Sequence, residues 1–525
     1  MVLWYSIFAT ALKVEDKINR FLTKLKKSAT IDDEVYRRRY VSGSAPGILY
    51  GLVKTHKENL PLRPILSAFN TASFQISKYV IPFIEKLSHN QYSLKNSYEF
   101  VEHVDNFQIT RDMFMVSFDI SSLYTNTPVS ETIDIVCNRL FESCNTYLGF
   151  SRQIFHELLT LCVSNSYFVF GENLFRQIDG LAMGNPLAPV LANIFLCNLE
   201  SKFAVDCPRT IEPKFYRRYL DDIFAVFNSK SEALEFFNYL NDLHPNIKFT
   251  MEEEKENKLN FLDVTIAKTP QSTTHSVYRK PTTTKLGTSF FSFTPINYKI
   301  NAIRTLVHRA YHLSSNYSYF HKEIEYLKLF FEKNGYPSGL VEKCVRNFLD
   351  KTFQPKNIIS TAEKQKLFVE MPFIAKDNSL SQLKRSLNFF YPQIDFSFFF
   401  KQNQTIGSCL QSKDRLPEEM RANIIYKYSC DSCQGTYIGS SIKQAKVRFH
   451  QHFGLSHRTS YPLTNPVHSN IRNHCLESDH QMKFSNFSVI DQSSSSDLRV
   501  LESLYIKKLT PNLNIDQSSH PLLIC

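Results

Sequence analysis

The spacing of apolar positions changes along this chain, and each spacing predicts a different element. Residues 14–40 carry apolar side chains three or four positions apart between basic ones, which predicts an amphipathic helix. Short apolar runs at residues 48–53 and 113–120 are typical of buried strands, and the longer stretch at 187–203 predicts a buried helix. Further helices are predicted at 129–141, 232–243 and 297–350, and further strands at 247–252, 259–266 and 276–278.

Two aromatic-rich segments have the pattern of β-hairpins. Residues 167–177 place aromatic runs on both sides of a Gly-Glu-Asn turn, and residues 215–227 do so around an Asp-Asp pair. Residues 353–420 show no regular period, so we expect an irregular connector there. A compact α/β unit is expected at residues 422–516.

Composition narrows the class of protein. The 525 residues are 43% hydrophobic and carry a net charge of +11, which fits several packed domains and an anionic partner, most commonly nucleic acid. The 11 cysteines lie mostly in apolar stretches, a usage that fits a reducing compartment. The chain has no run of about 18 apolar residues, and its apolar N-terminus lacks a basic flank and a cleavage site. We therefore expect neither a membrane span nor a signal peptide.

Three carboxylates stand where a metal-dependent reaction needs them. Asp119 ends an apolar strand, and Asp221 and Asp222 lie at the turn of an aromatic hairpin. Nucleotidyl transfer develops charge on the attacking and leaving oxygens, and two Mg²⁺ ions about 3.5–4 Å apart, held by carboxylates, stabilise both. An isolated Asp-Asp pair is more often an ordinary turn feature. The metal-site interpretation therefore depends on neighbouring motifs.

Three neighbouring features favour the metal site. Tyr124, five residues after Asp119, is placed to lie under the sugar of a nucleotide and to clash with a 2′-OH. Gly184 lies in a glycine-bearing loop that enters a long helix, and such a loop lets backbone approach a base pair closely. Lys57 and Arg63 flank a turn and can neutralise a triphosphate. Taken singly, each feature has an ordinary structural interpretation. Tyr124 can be a core aromatic residue, the glycine-bearing loop is a weak signal, and Lys57 and Arg63 can belong to a solvated basic loop.

In their order along the chain, these segments resemble the motifs of reverse transcriptases. FDISSLYTNTP resembles motif A, GLAMGNPLAP motif B and YLDDIF motif C, while LYGLVKTHK and PLRPILS resemble the fingers motifs. FTMEEE, NFLDVTI and VYRKPT resemble the segments that follow the palm. The wording of these motifs is closest to Penelope-like retroelements, whose polymerase is similar to telomerase. The resemblance covers residues 14–310.

The resemblance implies a right-hand polymerase with fingers, palm and thumb that copies RNA into DNA. Asp119, Asp221 and Asp222 would hold two Mg²⁺ ions, with Mn²⁺ as an alternative. Tyr124 would gate the sugar, and Gly184 with its neighbours would line the pocket for template and nucleotide.

The same resemblance assigns roles outside the palm carboxylates. Lys57 and Arg63 would contact the triphosphate of a dNTP, NFLDVTI would help to position the primer end, and the helices after residue 297 would form the thumb. The sequence departs from the family in two places: the chain begins almost at the fingers, and Thr294 stands where the family usually has histidine. The general acid for pyrophosphate stays open among Lys248, Lys255 and Lys258.

A second group of candidate residues lies near the C-terminus. Cys430 and Cys433 form a Cys-x-x-Cys knuckle, and His474 and His480 follow it. Two thiolates and two imidazoles can bind Zn²⁺ tetrahedrally, although the long gap between the pairs is not the usual zinc-finger spacing. Cys475 is an alternative ligand. A loose cysteine pair with surface histidines is the alternative to a metal site.

The segment around this knuckle resembles a GIY-YIG endonuclease. Tyr426 lies on the first predicted strand, where Ile424 replaces the usual glycine, and Tyr437 begins Tyr-Ile-Gly on the second. Arg448 and His452 lie one turn apart on the next helix and hence on one face. Glu502 on a later helix and Asn514 in Pro-Asn-Leu-Asn complete the set.

This second resemblance implies how such a module cleaves DNA. One Mg²⁺ ion on Glu502 would bind the scissile phosphate and the leaving 3′-oxygen, and Arg448 would stabilise the charge on the phosphate. Tyr426, with Tyr437 or His452, would activate water as general base.

The predicted fold class is α/β and α+β multidomain: a fingers-palm-thumb polymerase followed by a small GIY-YIG α/β nuclease. The expected domains are 1–112 for the N-terminal helix and fingers, 113–296 for the palm with inserted fingers elements, 297–352 for the thumb, 353–420 for the connector and 421–525 for the endonuclease with its zinc knuckle.

The predicted function is that of a retrotransposon enzyme in the nucleus. The nuclease would nick chromosomal DNA, and the polymerase would extend the freed 3′-OH along an RNA template. The expected partners are RNA template, DNA primer and target, and dNTPs, with no membrane. Two alternatives stay open: a catalytically idle or domesticated nucleic-acid-binding protein derived from such an element, and a polymerase whose C-terminal module is only a zinc-dependent DNA-binding domain.

Overall fold

The computed structural model of this chain describes residues 2–54, 59–107, 109–164, 166–171, 173–270, 272–354, 365–372, 379–401, 416–457, 459–493 and 498–514. These residues form a mixed α/β protein. Among them, no helix is both long and apolar enough to cross a membrane.

The helices lie in every part of the described chain. They are α1 (Val2–Lys27), α2 (Asp33–Arg39), α3 (Phe74–Ile84), α4 (Ser97–Phe107), α5 (Leu123–Asn126), α6 (Val129–Phe141), α7 (Arg152–Val163), α8 (Ala188–Asp206), α9 (Lys230–Asp242), α10 (Ile296–His312), α11 (Tyr317–Lys333), α12 (Ser338–Phe353), α13 (Ser379–Phe390), α14 (Ala445–Phe453), α15 (Asn470–Glu477) and α16 (Leu498–Leu509).

The strands are mostly short. They are β1 (Gly47–Val53), β2 (Leu62–Ser67), β3 (Phe114–Ile120), β4 (Thr146–Tyr147), β5 (Phe150–Ser151), β6 (Tyr167–Phe170), β7 (Asn173–Arg176), β8 (Phe215–Tyr219), β9 (Asp222–Phe227), β10 (Phe249–Glu253), β11 (Lys258–Phe261), β12 (Val264–Lys268), β13 (Thr273–Val277), β14 (Gln365–Pro372), β15 (Ile394–Lys401), β16 (Ile424–Ser429), β17 (Thr436–Ser441) and β18 (Phe487–Gln492).

Contacts divide the chain into two compact units. The first unit contains Met1–Asn90, Ser122–Val205 and Lys413–Cys525, and the second contains Gln91–Ser121 and Asp206–Ser412. Neither unit is continuous in sequence. Each core is therefore assembled from segments that lie far apart along the chain.

The second unit is built on a four-stranded antiparallel sheet with the order β10-β3-β9-β8. β3 pairs with β9 so that Asp119 lies opposite Asp222. Beneath this sheet, Phe100 of α4 packs against Phe224 and Phe261, with ring centroids 5.1 and 4.7 Å away. The aromatic packing fixes the strand ends that carry the carboxylates.

The strand predicted at residues 259–266 is instead a hairpin of β11 and β12. Leu262 lies between the two strands with a φ of +53°. Phe261 and Val264 on either side of the turn are both buried in the same core. Because the turn contains the apolar Leu262 and only one polar residue, Asp263, the sequence pattern does not show it.

Residues 297–350 are mainly helical, as predicted. They form α10, α11 and α12, which pack around a core of their own. Val307, Leu327 and Phe331 are almost fully buried there. Asn316 caps α11 because its side chain accepts a hydrogen bond from the Tyr319 amide at 3.0 Å.

The prediction of an irregular connector at residues 353–420 is wrong for part of the described chain. β14 and β15 pair in parallel from Gln365 opposite Ile394 to Pro372 opposite Lys401, and α13 connects them. Parallel strands need a long crossover, so no short-range pattern reveals their pairing.

The first unit begins with two helices where the sequence pattern predicts one. α1 ends at Lys27, Ala29 has a φ of +54°, and α2 starts after Asp32. Asp32 is the N-cap of α2 and accepts a hydrogen bond from the Val35 amide at 2.7 Å. The basic and apolar pattern runs across this break and conceals it.

The first unit contains several small β-sheets. The predicted hairpin at residues 167–177 is confirmed as β6 and β7, which join β1 and β2 in the order β2-β1-β6-β7. The C-terminal module of the first unit contains the sheet β17-β16-β18 and helices α14 to α16. Tyr426, Tyr428, Phe449 and Phe487 form much of its core.

This C-terminal module packs against the N-terminal part of the first unit. Leu12 of α1 and Val169 of β6 share a buried apolar cluster with Met420 and Val447. The cluster joins the beginning and the end of the chain into one core.

A buried polar network lies beside that cluster. The Gln444 Nε2 group, at the start of α14, donates to the Ser44 carbonyl at 2.7 Å. The Ser44 amide and hydroxyl donate to one carboxylate oxygen of Glu15 at 2.9 and 2.7 Å. Gly43 has a φ of +75°, and a Cβ there would lie 2.3 Å from the Ile442 carbonyl oxygen. These contacts permit only glycine at this position and fix α14 on α1 through the intervening loop.

Candidate active sites

Three carboxylates meet at one end of the antiparallel sheet of the second unit. Asp119 of β3 lies opposite Asp222, the first residue of β9, and Asp221 precedes it in the turn. The Ile120 amide donates to the Asp221 carbonyl at 3.2 Å, which ties the turn to β3. The structure thus brings together the three carboxylates that the sequence predicted to share a site.

Burial and the two neighbouring carboxylates oppose the ionisation of Asp222. Loss of hydration, followed by the charges of Asp221 and Asp119, raises the pKa of Asp222 to about 6, while Lys280 acts in the opposite direction. A divalent cation would relieve this repulsion, because its own charge reverses the local preference for protonation. Oxygen donors on strand ends are also the ligands that Mg²⁺ prefers. The donor set therefore fits hard cations.

The turn that presents Asp221 is strained and is held by a buried arginine. Leu220 has a φ of +54°, which is unfavourable for a residue with a Cβ. Arg218 is 2% exposed, and its guanidinium donates to the Leu220 carbonyl at 3.1 Å and to the Ser93 hydroxyl at 3.5 Å. The sequence analysis missed Arg218, because an arginine beside a turn is ordinarily solvated and only its burial marks it.

The candidate triphosphate residues lie outside this sheet. Lys57 falls outside the described residues. Arg63 belongs to the first unit, where it is exposed on β2 opposite Leu52. It is the second residue of that strand.

Tyr124 and Gly184 also belong to the first unit. The Tyr124 carbonyl accepts a hydrogen bond from the Leu181 amide at 2.7 Å, so α5 contacts the glycine-bearing loop directly. Gly184 has a φ of +122°, and a Cβ there would lie 2.1 Å from the Leu66 carbonyl oxygen. The glycine thus permits close approach of the loop to β2.

In the C-terminal module, two side chains converge on the hydroxyl of Tyr426. The Tyr426 oxygen lies 2.7 Å from His452 Nε2, and Arg448 Nε donates to it at 3.1 Å. A Cβ on Gly439 would lie 2.5 Å from the same oxygen. Glycine in Tyr-Ile-Gly therefore leaves the space that the tyrosine hydroxyl occupies.

Glu502 of α16 is bound to β17 through Ser440. The Ser440 amide and hydroxyl donate to its two carboxylate oxygens at 2.9 and 2.8 Å. Asn514 closes the module, since its side chain pairs with both backbone groups of Ile438 at 3.0 and 2.8 Å. Sequence reasoning found Glu502 and Asn514 but missed Ser440, whose hydroxyl alone carries no signal.

Burial and the charges of nearby arginines favour a neutral histidine beside the buried tyrosines of this module. Burial raises the pKa of Tyr426 and of Tyr437, and the Arg448 guanidinium opposes both shifts. Burial, followed by the charges of Arg448 and Arg472, lowers the pKa of His452 to about 3. His452 is therefore uncharged near neutral pH and can accept or pass a proton.

Two cysteines and two histidines form a cluster at the edge of this module. The ligand atoms of Cys430, Cys433, His474 and His480 all lie within 4.8 Å of one another. The separations from Cys430 Sγ to His480 Nδ1 and from Cys433 Sγ to His474 Nε2 are 3.4 and 3.5 Å. Ligands around a tetrahedral Zn²⁺ ion are roughly 3.3–3.8 Å apart, so the cluster fits zinc.

The alternative ligand Cys475 is not part of the cluster. Its Sγ lies 3.2 Å from the Tyr428 hydroxyl instead. Within the cluster, burial acts against ionisation of Cys430, but hydrogen bonds from His474 and from backbone amides prevail and lower the pKa of its thiol to about 6. Zinc binds the ionised thiolate, and a lowered pKa makes that form more accessible to Cys430.

Two family profiles match this chain by sequence. Residues 55–290 match the reverse transcriptase (RNA-dependent DNA polymerase) family, and residues 288–346 match the animal helix-turn-helix domain, which falls on α10 to α12. No curated protein matches the chain.

Among solved structures, the chain is similar to telomerases and to a viral polymerase. Apo telomerase from Candida tropicalis, truncated from its C-terminal domain, is 13% identical with a TM-score of 0.34, and the alignment covers 44% of this chain and 56% of that one. Telomerase from Candida albicans with an RNA fragment is 10% identical with a TM-score of 0.39, covering 65% and 68%. The Sicinivirus RNA-dependent RNA polymerase is 13% identical with a TM-score of 0.34, covering 60% and 71%.

The sequence match spans all four strands of the carboxylate-bearing sheet. Asp119, Asp221 and Asp222 all lie inside the matched range, and so does Arg218. Residues 55–290 of this chain are therefore similar in sequence to a reverse transcriptase domain.

Proposed function

We propose that this chain is an RNA-directed DNA polymerase of a retroelement, and that its C-terminal module is a DNA-nicking endonuclease that supplies the primer. The polymerase proposal depends chiefly on one observation, the pairing of Asp119 with Asp222 beside Asp221 at the end of β3 and β9. The reverse transcriptase match over the same residues supports it.

In this reaction a primer 3′-oxygen attacks the α-phosphorus of a dNTP, and pyrophosphate leaves. Mg²⁺ ions, when bound, stabilise the charge on the attacking 3′-oxygen and on the oxygen of the leaving pyrophosphate. Asp119, Asp221 and Asp222 hold the cations in place, and Arg218 keeps the turn in the conformation that presents them. Tyr124 excludes a nucleotide with a 2′-OH, and Arg63 contacts the triphosphate.

Primer extension on an RNA template tests the polymerase proposal. The parent protein incorporates dNTPs with Mg²⁺, and Asp221→Ala lowers the rate by at least about 10³-fold, because a carboxylate that holds the cations is lost. The matched control is Asp242→Asn, an exposed carboxylate at the end of α9, which keeps the parent rate. A parent protein that incorporates no more than Asp221→Ala would support the alternative of an idle nucleic-acid-binding protein.

The nuclease proposal depends on the convergence of His452 and Arg448 on the Tyr426 hydroxyl, opposite Gly439. Tyr426 takes the proton of the attacking water and passes its own hydroxyl proton to His452 Nε2, 2.7 Å away. Arg448 neutralises the charge that develops on the phosphate. Glu502 holds the cation that would bind the leaving 3′-oxygen.

Nicking of supercoiled plasmid tests the nuclease proposal. The parent protein converts the plasmid to open circles with Mg²⁺, and Glu502→Ala lowers the rate by about 10²–10³-fold, a typical effect of removing one charge-stabilising group. Glu477→Ala, an exposed carboxylate at the end of α15, serves as control. Equal nicking by the parent and Glu502→Ala, with DNA binding retained, would assign the module to zinc-dependent DNA binding.

The proposed setting follows from coupling the two activities. A nick leaves a 3′-OH on DNA, and the polymerase extends a 3′-OH along RNA, so one chain performs both steps of target-primed reverse transcription. The module order and motif wording favour a Penelope-like element that acts in the nucleus. RNA template, target DNA and dNTPs are its partners.

A further inference from the structure

We propose that the Cys430, Cys433, His474 and His480 cluster controls the candidate nuclease site through α15, with Ser469 as the positioning residue that connects them. The proposal rests on the proposed nuclease function for its effect on cleavage. Its structural part concerns the orientation of one histidine and stands independently of cleavage.

The geometry of α15 places the two sites at opposite ends of one short helix. Ser469 is the N-cap of α15, and its hydroxyl lies 2.7 Å from His452 Nδ1. His474 lies in the last turn of the same helix, and its Nε2 lies 3.5 Å from Cys433 Sγ and 3.4 Å from His480 Nδ1. A shift of one end of the helix therefore displaces the residues at the other end.

The hydrogen bonds of Ser469 hold the His452 ring in one orientation. The Ser469 oxygen accepts a hydrogen bond from the Arg472 amide at 3.2 Å, as an N-cap does. A hydroxyl group can also donate one hydrogen bond and accept a second, so Ser469 pairs with His452 Nδ1 at 2.7 Å in either tautomer of the imidazole. That pairing directs His452 Nε2 to the Tyr426 oxygen, which lies 2.7 Å away.

The orientation of His452 determines whether the tyrosine that would activate water has a partner for its hydroxyl proton. His452 Nε2 lies 2.7 Å from the Tyr426 oxygen, and Arg448 Nε donates to that oxygen at 3.1 Å. A neutral His452 held at this distance can take the hydroxyl proton of Tyr426 as the tyrosine oxygen takes one from water. Ser469 acts only through His452 and does not touch the reacting atoms.

The metal-ligand end of the helix needs an anchor. α15 has eight residues, and helices shorter than about 12 residues are marginal without tertiary contacts. Ile471 is fully buried and keeps the helix attached to the core, while His474 ties its last turn to the cysteine knuckle. When a zinc ion is bound, it fixes that turn, and removing it frees the helix to shift and withdraw Ser469 from His452.

Histidine footprinting with diethyl pyrocarbonate tests this link on the full chain. Mass spectrometry reports modification at each histidine, with and without prior zinc chelation. His474 and His480 become reactive on chelation, which shows that metal has left. His452, 2% exposed, becomes reactive with them, whereas His450, 5% exposed on the same helix α14, stays protected.

The pair of adjacent buried histidines separates the proposal from unfolding. If chelation exposes His450 as much as His452, the module has lost its fold and the proposed route through Ser469 is wrong. If chelation exposes His474 and His480 but leaves His452 protected, the cluster and the nuclease site are independent and the proposal is overturned.

Variants of Ser469 test the connecting residue in zinc-loaded protein. Ser469→Ala speeds His452 modification about five- to tenfold, the effect of losing a hydrogen bond of about 1 kcal/mol. Ser469→Thr keeps the hydroxyl and restores protection. Ser229→Ala removes a matched N-cap from α9 and leaves His452 unchanged. Equal reactivity of His452 in Ser469→Ala and the parent would remove Ser469 from the role.

Plasmid nicking then distinguishes the two proposals. If the parent nicks DNA, Ser469→Ala lowers the nicking rate about as much as chelation does, and Ser469→Thr restores it. If the parent does not nick while His452 responds to chelation as described, the nuclease proposal fails and the structural link holds. If the parent nicks while His452 does not respond, the nuclease proposal holds and the link fails.

Discussion

Asp222 carries a charge that its neighbours oppose. In the protein without metal its pKa is about 6, above the ordinary value of 3.8, because of burial and the carboxylates of Asp221 and Asp119. The folded protein thus binds this proton more tightly than the unfolded chain. The resulting stabilisation is fully present below pH 3.8 and is lost as the pH rises through about 6.

Asp222→Asn removes this pH-dependent loss. In EDTA at pH 8 the variant unfolds at a higher temperature than the parent, by about 2–4 °C per kcal/mol of repulsion relieved. At pH 5 the difference is smaller, because the parent is then largely protonated. Added Mg²⁺ raises the unfolding temperature of the parent more than that of the variant. Thermal unfolding at both pH values measures this, and a difference that does not depend on pH would contradict the shifted pKa.

At the scale of elements, the β8–β9 hairpin presents the carboxylates only while its turn keeps a strained conformation. Leu220 has a φ of +54°, and residues with a Cβ adopt that region at a cost of about 1–2 kcal/mol. Arg218 opposes relaxation of the turn because its guanidinium reaches both the Leu220 carbonyl and Ser93. The conformation of the hairpin therefore depends on a contact with a neighbouring segment.

Arg218→Lys tests the support of this turn. A single ammonium group cannot reproduce the fork that spans Leu220 and Ser93, so kcat for primer extension falls about tenfold, or about 1.4 kcal/mol. KM for dNTP changes less, because the nucleotide contacts are intact. Arg217→Lys is the matched control, since Arg217 stacks over Phe215 and does not reach the turn. Equal losses of kcat in both variants would contradict a specific role for Arg218.

The sequence predicts an element correctly where its spacing of apolar and turn residues is compatible with only one kind of structure. The aromatic hairpins and the α10–α12 helices follow from period and turn residues alone. Patterns fail where a turn is itself apolar, as at Leu262, or where pairing spans a crossover, as between β14 and β15. Motif resemblance predicts Asp119 and Glu502 as site residues, whereas Arg218 and Ser469 become candidates only through the groups that they contact.

At the scale of the whole molecule, the two ends of the chain belong to one compact unit. The sequence suggests a nuclease that follows the polymerase as a separate domain. Instead, α14, which carries Arg448 and His452, is anchored by Gln444 to the loop after α2 and through it to Glu15 of α1. No local pattern predicts this contact, because the partners lie 400 residues apart.

Gly43 offers a test of this anchor that separates two effects of one substitution. Gly43→Ala meets both an unfavourable φ of +75° and the Ile442 carbonyl at 2.3 Å, whereas Gly149→Ala meets a similar φ of +81° with no described atom nearer than 3.9 Å. The difference in the free energy of unfolding between the two variants therefore measures the cost of the contact with the Ile442 carbonyl. Overpacking of this kind costs about 1–3 kcal/mol. Hydrogen exchange should quicken in Gly43→Ala at residues 44–46 and at the start of α14 together, and not in Gly149→Ala. Exchange that quickens only at residues 44–46 would show that the nuclease helix does not depend on the N-terminal loop, and the ends of the chain would then be adjacent without being coupled.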